Sequence, residues 1–597
     1  MSKYLSETQK MYISNLLKNR IDINNIRNDN IRNILKDGNF PDGQTDNIFD
    51  ITSILAHDFS NEESKSNGIT FTPIPIVKYM YEDVLSLNLD YITKYKIADL
   101  SVGNGAFFIG LILLLKERYP SLSIVDFIQN NIYGYDLREE NIFFTKLNLY
   151  LVALYYGENV AEIHFNLFQC DTLKYFKENN DSFKFDLIVG NPPYVKQQNI
   201  ELTYRDFLLD NFVTIQSNYN LYYAFLELSV NLLKEDGVSL QLVPNYLLKI
   251  KSAIHLREYL LKDNHIHKIV NFNANKIFDG IDTYSMVIEL KSSSDAILYK
   301  SMPNGESSLS YLLNKDWKAL SPSNITYDSI NLVDDREEEL VKQVQSQLFT
   351  LDISTGIATQ KDKLYLINNN ALINDKYFIQ NFNNKEYLIE KESVVRVYKG
   401  SGQQKDNLKY SHIIYPYHLV NNIPNLKSIE YLTQYEPMTY QYFIDAKDAL
   451  CSRSGIEDND RDWYRYGRTQ SLNRFETKIL FPTNSLKPNF NLIDDHALFF
   501  NGYAIYGLKG KILSKEEFKA LEIILNSKLI EIFMLRTSYF IGSGYVSYQK
   551  KYIEKVTIPL LSDYDVHKIL ELESLQNNDK LNELIFSLYH LKYDDFK

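Results

Sequence analysis

The sequence predicts an α/β fold in which a mostly parallel β-sheet is covered by helices on both faces, followed by a region of mixed α+β structure. Between about residues 95 and 290, short β-rich runs alternate with longer helical stretches, a pattern typical of parallel sheets. After the Ser- and Asn-rich pieces of residues 291–345, the periodicity is mixed. The chain of 597 residues exceeds what one hydrophobic core usually serves, so we expect two large domains.

The elements and domains are predicted in chain order. Apolar residues at helical spacing predict an N-terminal helical segment over residues 1–67, ahead of a first domain at 68–330. A second domain is expected at 345–562 and a helical C-terminal tail at 563–597. In the first domain, strands are predicted at Lys96–Leu100, Ile132–Tyr135, Phe185–Val189, Val238–Val243 and Tyr284–Leu290, and the helices include Phe107–Arg118 and Leu221–Leu233.

Charge and cysteine content exclude several classes of protein. The net charge of −12 argues against a protein that coats nucleic acid through bulk charge, although it allows a cleft lined locally by Lys and Arg. The two cysteines, Cys170 and Cys451, lie in no CxxC or CxxH spacing, so we expect no disulfide framework and no metal site. This cysteine usage favours a reducing bacterial cytoplasm.

No segment of the sequence predicts contact with a membrane. The chain opens with Met1-Ser2-Lys3-Tyr4 and a polar, charged stretch, so we expect no secretory signal. The longest apolar run, from Ala106 to Leu115, is about half the length needed to span a bilayer. It predicts a buried helix.

The tetrapeptide Asn191-Pro192-Pro193-Tyr194 follows the hydrophobic strand that ends at Gly190. The Asn191 side-chain carbonyl and the Pro192 backbone carbonyl can both accept hydrogen bonds from a planar NH2 group. The two prolines fix φ, so the loop is stiff and its carbonyls keep their directions. Tyr194 offers a flat face on which a nucleobase can stack. Together these groups predict a site for an exocyclic amino nitrogen.

Acidic residues end the strands that precede this motif. Asp99 is followed by a turn that contains Gly103 and Gly105 and opens a helix, which allows a ligand to approach the backbone closely. Asp136 ends the next strand, where an acid can accept hydrogen bonds from ribose hydroxyls. Asp171 precedes the strand that leads to Asn191. Each feature alone is also explained by packing or capping, but the ordered set is hard to explain in that way.

These motifs resemble those of the S-adenosylmethionine-dependent DNA methyltransferases. Asp99–Phe107 resembles motif I of that class, and Asn191–Tyr194 resembles motif IV of the N6-adenine enzymes. Gly68–Pro73 resembles motif X, and Phe278-Asp279-Gly280 resembles motif VIII. The order of the motifs, followed by a long C-terminal region, is similar to the gamma group, whose type II members recognise short DNA sequences. Motif I departs from the usual pattern at Leu100 and Asn104.

The resemblance implies a Rossmann-like catalytic domain, a C-terminal target-recognition domain and S-adenosyl-L-methionine as the cofactor. It implies that Asp99 meets the methionine ammonium, Asp136 the ribose and Asp171 the cofactor's adenine amino group. Asn191 and the Pro192 carbonyl would bind the target N6 within the motif that includes Pro193. The same resemblance places Thr72, Gly103, Gly105, Ala106 and Asn191 around the cofactor, and Tyr194 and Phe278 against the target base.

The predicted activity is site-specific methylation of adenine N6 in double-stranded DNA by a monomeric enzyme. A base stacked in a duplex cannot reach such a pocket, so the adenine must be flipped out. Two acceptors on the amino group free its lone pair for attack on the cofactor's methyl group, so that catalysis comes from positioning and charge stabilisation. A separate cognate restriction endonuclease remains open as a second partner.

Candidate DNA contacts lie in the C-terminal half. Arginines cluster around Trp463, Tyr464 and Tyr466, an arrangement that suits contacts to phosphates and guanine edges. The alternative is a solvated surface, because several acids share the stretch. The candidate residues are Arg453, Arg461, Arg465 and Arg468, together with Lys550 in a later basic and aromatic segment.

Three alternatives stay open at the level of sequence. Pro41-Asp42 and Glu63-Ser64-Lys65 mimic the PD…ExK spacing of metal-dependent nucleases, which would make the chain a restriction-modification fusion. The same NPPY site could instead methylate adenine N6 or guanine N2 in RNA, or a glutamine side chain in a protein. A DNA-binding module with a decayed catalytic half is the non-enzymatic alternative.

Overall fold

The computed structural model describes residues 72–158, 163–179, 183–216, 218–275, 284–303, 305–306, 308–367, 369–401, 409–453, 461–541 and 544–596. The chain divides into two compact units, of which the first ends at Asp334 and the second begins at Asp335. Each unit has its own hydrophobic core.

The first unit is built on a nine-stranded sheet with the order β3-β2-β1-β4-β5-β7-β6-β8-β9. Strands β3, β2, β1, β4 and β5 are parallel to one another, whereas β7 is antiparallel to both of its neighbours, β5 and β6. The strands are β1 Ile97–Asp99, β2 Ile132–Asp136, β3 Asn166–Gln169, β4 Phe185–Gly190, β5 Leu233–Pro244, β6 Ile266–Asn271, β7 Ser285–Lys291, β8 Leu298–Ser301 and β9 Lys318–Ala319.

Helices fill the connections between these strands. The first of them continues into a π-helical turn at Met80–Val84. The helices are α1 Ile74–Tyr79, α2 Ala106–Arg118, α3 Ile124–Asn131, α4 Glu139–Tyr155, α5 Thr172–Glu178, α6 Leu202–Asn211, α7 Tyr222–Asn231, α8 Ile254–Lys262 and α9 Ser310–Leu313.

Alternation along the central strands builds a core on each face of the sheet. Because successive strand residues point to opposite faces, Leu187 and Val189 pack in one core while Ile188 packs in the other. Helices α1 to α4 cover the first face, and α5, α7 and α8 cover the second. Burial of α2 from Ala106 to Leu115 confirms the buried helix predicted there. No helix in the described ranges is both long and apolar enough to cross a membrane.

The second unit combines several small sheets with helices. A five-stranded sheet has the order β20-β18-β22-β10-β25, and the other sheets have two or three strands. The strands are β10 Phe349–Thr355, β11 Asn369–Ile373, β12 Tyr377–Phe382, β13 Lys385–Glu390, β14 Val394–Lys399, β15 Tyr410–Ile414, β16 Tyr417–Val420, β17 Ile423–Leu426, β18 Lys478–Phe481, β19 Asn484–Ser485, β20 Asn491–Ile493, β21 Leu498–Phe500, β22 Tyr503–Leu508, β23 Phe540–Ile541, β24 Tyr545–Ser547 and β25 Thr557–Ile558.

The helices of this unit pack on several of these sheets. The last two helices occupy the predicted tail, but their residues Ile569 and Ile585 lie in the same core as Leu340 and Phe533, so this segment is part of the unit. The helices are α10 Asp335–Gln345, α11 Asp362–Tyr365, α12 Ile429–Tyr435, α13 Pro437–Asp445, α14 Lys447–Cys451, α15 Lys515–Leu525, α16 Lys528–Thr537, α17 Lys550–Ile553, α18 Asp563–Ser574 and α19 Asn578–Leu588.

Candidate functional site

A cavity of about 540 Å³ lies at the carboxyl ends of β1, β2 and β4. Ligands in open parallel sheets bind at this edge, where the strand order reverses, and here β1 has β2 on one side and β4 on the other. The sequence-predicted residues that line the cavity are Gly103, Asp136, Asp171, Asn191, Pro192 and Pro193, whereas Thr72, Asp99, Gly105, Ala106 and Tyr194 are not among its lining residues.

The glycine turn between β1 and α2 is fixed by its neighbours. Both Gly103 and Gly105 have positive φ, at 55° and 81°, which a residue with a side chain rarely adopts. The Thr145 hydroxyl of α4 donates a hydrogen bond to the Gly103 carbonyl at 2.8 Å, and Asn148 of the same helix donates to the Asn104 carbonyl at 2.9 Å. The turn is therefore preformed beside the cavity.

Asp99 ends β1 beneath this turn and is only 1% exposed. Its Oδ1 atom accepts a hydrogen bond from the Ser101 backbone N–H at 3.0 Å, while Oδ2 is buried without a hydrogen-bond partner. Burial raises the pKa of Asp99 to about 8, and the charge of Asp136 adds to that effect. An unpartnered buried carboxylate oxygen fits the ammonium group of an amino-acid ligand.

Asp136 ends β2 and is satisfied largely by backbone. Its Oδ2 atom accepts a hydrogen bond from Gly103 N–H at 3.0 Å, and Oδ1 accepts from Arg138 N–H at 2.9 Å and from the Asn141 side chain at 3.0 Å. Burial raises the pKa of Asp136, while these three donors act in the opposite direction. Asp136 therefore ties the glycine turn to β2, and it faces the cavity where a sugar hydroxyl could donate to it.

Asp171 caps α5 and also holds a residue that the sequence analysis missed. Its Oδ1 atom accepts from Lys174 N–H at 3.1 Å and from the Tyr204 hydroxyl at 2.9 Å. Tyr204 lies on α6, lines the cavity, and has a pKa raised by burial and by Asp171. Leu137, next to Asp136, also lines the cavity although it is 68% exposed. Tyr204 and Leu137 thus form an aromatic and an aliphatic wall beside the strand-end acids, and no local sequence pattern predicts either of them.

The NPPY loop places Asn191 at the cavity and Tyr194 behind it. The Tyr194 hydroxyl lies 2.5 Å from Asn191 Oδ1 and 3.0 Å from the Leu242 carbonyl oxygen, and its ring packs edge-on against Tyr222. The Asn191 amide nitrogen donates to the Thr72 hydroxyl at 3.3 Å. The structure therefore gives the Tyr194 hydroxyl a positioning contact with Asn191, and stacking of its ring on a base stays a prediction.

The target side of the motif offers an open acceptor. Among the described residues, none donates a hydrogen bond to the Pro192 carbonyl, and Pro192 lines the cavity. The rigid ring of Pro193 follows it. Several predicted features lie outside the described residues: Phe278, most of the motif X segment, and the Pro41-Asp42 and Glu63–Lys65 pair.

The candidate DNA contacts divide into one buried residue and four that reach solvent. Arg453 is 4% exposed, and its guanidinium donates to the carbonyls of Leu450, Trp463, Arg465 and Thr359 at 2.6–3.1 Å. A buried guanidinium cannot reach a phosphate, so the predicted DNA contact of Arg453 is corrected to a structural role. The exposed or half-exposed candidates are Arg461, Arg465, Arg468 and Lys550.

In the ranges that the structure describes, no group of three or more His, Cys, Asp or Glu side chains is arranged to hold a metal ion.

Sequence comparisons relate the chain to restriction-modification methylases. Residues 130–278 match the Eco57I restriction-modification methylase family. The chain is 24% identical to the Type II restriction enzyme and methyltransferase RM.Eco57I of Escherichia coli, over 66% of this chain but only 42% of that protein. It is 21% identical to the Type II methyltransferase M.BstVI of Geobacillus stearothermophilus, over 88% of this chain and 96% of that protein. These matches confirm the resemblance to restriction-modification methyltransferases.

Solved structures share the fold along most of the chain. The Type IIL restriction-modification enzyme MmeI, solved in complex with DNA, superposes with a TM-score of 0.59 at 13% identity, covering 98% of this chain and 87% of its own. The DrdV–DNA complex gives a TM-score of 0.51 at 14% identity, covering 91% and 61%. At these identities the likeness concerns the fold, and it confirms the predicted α/β class.

Proposed function

We propose that this chain, a homologue of the type II methyltransferases of restriction-modification systems, transfers a methyl group from S-adenosylmethionine to N6 of an adenine flipped out of double-stranded DNA. The observation that supports this proposal is the composition of the cavity. One cavity is lined both by the strand-end acids Asp136 and Asp171 and by the loop Asn191–Pro193. A methyl donor and a planar amino group can therefore meet within it.

The cofactor side of the cavity is matched to an amino-acid nucleoside. Asp99 is not a lining residue, but Ser101 and Gly103 of the adjoining turn are, and the unpartnered Oδ2 of Asp99 would hold a methionine ammonium that reaches past this turn. Asp136 would accept hydrogen bonds from the ribose. Leu137 and Tyr204 supply apolar surface for a purine, with Asp171 beside them to accept from its amino group. When bound, S-adenosylmethionine supplies an electrophilic methyl group on its sulfonium.

The target side fixes the geometry of the nucleophile. Asn191 Oδ1 and the Pro192 carbonyl would accept the two hydrogens of the target amino group, so that its lone pair no longer delocalises into the ring. The Tyr194 and Thr72 hydroxyls hold the Asn191 amide, which limits its rotation. Positive charge that develops on the nitrogen is stabilised by these fixed carbonyl dipoles. The reaction needs no nucleophilic side chain from the protein.

The substrate follows from the relatives and from the size of the second unit. The sequence relatives that the chain matches are named as type II methyltransferases, and M.BstVI matches along nearly its whole length. The unit that begins at Asp335 is large enough to carry a separate DNA-reading surface. We therefore propose that the first unit performs methyl transfer and that the second recognises a short DNA sequence, with a separate restriction endonuclease as an optional companion.

Methylation of unmodified DNA in solution tests this function. The purified chain is incubated with methyl-labelled S-adenosylmethionine and unmethylated genomic DNA, and the product nucleosides are identified by mass spectrometry. We expect N6-methyladenine, with a loss of at least about 100-fold for Asn191→Ala because it removes an acceptor aimed at the reacting nitrogen. The control is Asn314→Ala, an exposed asparagine outside the cavity. Label on cytosine, or on RNA or protein added in parallel, would contradict the proposal.

A further inference from the structure

A two-stranded hairpin of the second unit carries exposed apolar residues next to its turn. Strand β16 pairs with β17 from Tyr417↔Leu426 to Val420↔Ile423, and the two strands form a sheet of their own. The connecting residues Asn421 and Asn422 have φ of 49° and 63°, as a tight type I′ turn requires. The tip is therefore a defined structure in which Val420 and Ile423 are direct cross-strand neighbours.

The hairpin is anchored at its base and at its turn, where the Asn422 carbonyl accepts a hydrogen bond from the Asn473 side chain at 2.9 Å, while the apolar side chains near the turn are exposed. Tyr417 is buried at the base, its hydroxyl accepts a hydrogen bond from the Tyr466 backbone N–H at 2.7 Å, and the two rings are in contact. At the tip, Leu419, Val420 and Ile423 are 39%, 52% and 62% exposed. An exposed apolar edge of this kind favours aggregation unless a partner covers it.

Positive charge surrounds the base of this hairpin. The segment that contacts Tyr417 also carries Arg461, Arg465 and Arg468. Burial raises the pKa of Tyr417 to about 12, while the Tyr466 N–H and the charges of Arg453 and Arg465 act in the opposite direction and the charge of Asp462 adds to the rise. The Arg468 backbone N–H donates to the carbonyl of Ala358. Another cation, Lys361, follows Ala358 by three residues. This side of the unit is thus rich in cations.

Acidic groups of the described residues lie on the same side. Burial raises the pKa of the neighbouring Tyr464, and the charges of Asp462 and Glu430 add to that rise. The charge of Asp362 reaches Tyr466, whereas Glu436 is buried in an ion pair with Lys427 and adds no net charge. Among the described residues, no carboxylate forms an ion pair with the exposed Arg461 or Arg468, so both cations can contact a polyanion beside the hairpin.

We propose that this hairpin, Tyr417–Leu426, inserts its tip into a groove of the DNA duplex, with Val420 and Ile423 packed against base edges or between base steps and with Arg461, Arg465 and Arg468 on the flanking phosphates. The proposal rests on the proposed function and names the element that reads the DNA. Apolar wedges that unstack bases, held in place by arginines on the backbone, are a general device of DNA-bending proteins. The uncharged tip cannot serve as a phosphate contact, so it is suited to the bases.

Paired substitutions separate the two parts of this surface. Val420→Thr/Ile423→Thr makes the tip polar while keeping β-branched residues that suit a strand. Arg465→Gln/Arg468→Gln removes two cations. The matched control is Ile512→Thr/Leu560→Thr, which changes apolar residues that are 97% and 65% exposed elsewhere in the same unit. The readouts on the full-length chain are the Kd for duplexes with and without the methylated sequence, its salt dependence, and the Kd for S-adenosylmethionine.

The tip variant is expected to weaken binding of the target duplex at least tenfold, with less than a twofold change for non-target duplex and an unchanged salt slope. The arginine variant should weaken both duplexes and lower the salt slope by about one for each phosphate that is no longer neutralised. Binding of S-adenosylmethionine should stay the same in all variants, which shows that the first unit is intact, and an unchanged melting temperature of the second unit shows that the substituted unit is folded. A tip variant that binds target DNA as wild type does, or no more weakly than the control variant, overturns the hairpin proposal alone. A wild-type chain that binds cofactor but neither binds nor methylates duplex DNA overturns the proposed function, and this inference with it.

Discussion

Asp99 combines nearly complete burial with a carboxylate oxygen that lacks a partner. Burial raises its pKa to about 8 in the folded chain, against 3.8 as the ordinary value. Between those two values the folded state binds more protons than the unfolded state, so the free energy of unfolding falls as the pH rises from about 4 to about 8. A bound cation removes this cost, which is why the residue suits a ligand ammonium.

Substitution of Asp99 by Asn should therefore raise the stability of the protein and weaken its binding of the cofactor. Asn cannot ionise, and its side-chain oxygen can keep the hydrogen bond from Ser101. At pH 8 we expect Asp99→Asn to raise the melting temperature of the cofactor-free protein, measured by calorimetry, and to weaken S-adenosylmethionine binding at least tenfold. The stabilisation should vanish below about pH 3, where the aspartate is protonated in both states. Equal melting temperatures at pH 8 would show that Asp99 is not buried as described.

Cofactor affinity should depend on pH in a bell-shaped manner. Binding needs ionised Asp99, which becomes scarcer below its pKa of about 8. It also needs a protonated α-amino group, whose pKa is about 7.7–8.0. Titration calorimetry should therefore find the tightest binding near pH 8 and release of protons at pH 6.5. In Asp99→Asn the loss of affinity below pH 8 should disappear. If the loss persists in this variant, another group is responsible for it.

The Tyr194 hydroxyl is predicted to act on turnover through Asn191. Tyr194→Phe keeps the ring but removes the contacts at 2.5 Å to Asn191 Oδ1 and 3.0 Å to the Leu242 carbonyl. A buried hydrogen bond contributes about 1–3 kcal/mol when one partner is left unsatisfied, so kcat should fall about 5- to 100-fold. The KM for S-adenosylmethionine should change little, because the cofactor acids are untouched. A variant that lowered only cofactor affinity would place Tyr194 in the cofactor pocket instead.

At the scale of elements, the glycine turn after β1 has a conformation that a side chain cannot share. A Cβ added to Gly105, where φ is 81°, would lie 3.0 Å from the Thr145 Cγ2 atom of α4. Thr145 also holds the Gly103 carbonyl. A shift of α4 to relieve the crowding would therefore move the wall of the cavity.

Gly105→Ala should consequently cost both stability and cofactor affinity. Gly157 is the matched control, because its φ is 76° but no atom lies within 4 Å of an added Cβ. Both alanine variants should lose about 1–2 kcal/mol of unfolding free energy from the left-handed backbone, as measured by denaturant titration. Gly105→Ala alone should also bind S-adenosylmethionine at least fivefold more weakly. Equal weakening of cofactor binding by Gly157→Ala would contradict the role given to the contact between Gly105 and Thr145.

The sequence predicted the elements that border the site better than those that complete the sheet. All five predicted strands appear, because each is a compact apolar run between turn residues. Strands β3 and β6 were missed, since Asn166–Gln169 is short and Ile266–Asn271 interrupts its apolar residues with His267 and Lys268. The antiparallel position of β7 also could not be read from periodicity, which is the same in either direction.

Tertiary contacts explain where residue-level predictions failed. Arg453 stands in an arginine-rich stretch, but its guanidinium donates to backbone carbonyls inside the unit. Tyr204 lies 33 residues from Asp171 in the chain, and no local motif connects them. Composition shows which residue types are present, whereas burial and partners decide which of them face a ligand.

At the scale of the whole molecule, two units with separate cores should respond to different ligands. Hydrogen exchange should show S-adenosylmethionine protecting amides around Gly103, Asp136 and Asn191, because binding stabilises the unit that contains the cavity. Target DNA should protect the β16–β17 hairpin and residues 461–470 of the second unit. Protection of that hairpin by the cofactor alone, or of neither region by DNA, would contradict the assigned division of roles.

The central claim is tested most directly by long-read sequencing, with modified-base detection, of DNA from a methylation-free host that expresses this chain beside its Asn191→Ala and Asn314→Ala variants. We expect N6-methyladenine confined to one short sequence motif, present with wild type and Asn314→Ala and absent with Asn191→Ala. Unmodified adenine in all three strains, with intact protein that binds S-adenosylmethionine, would contradict it.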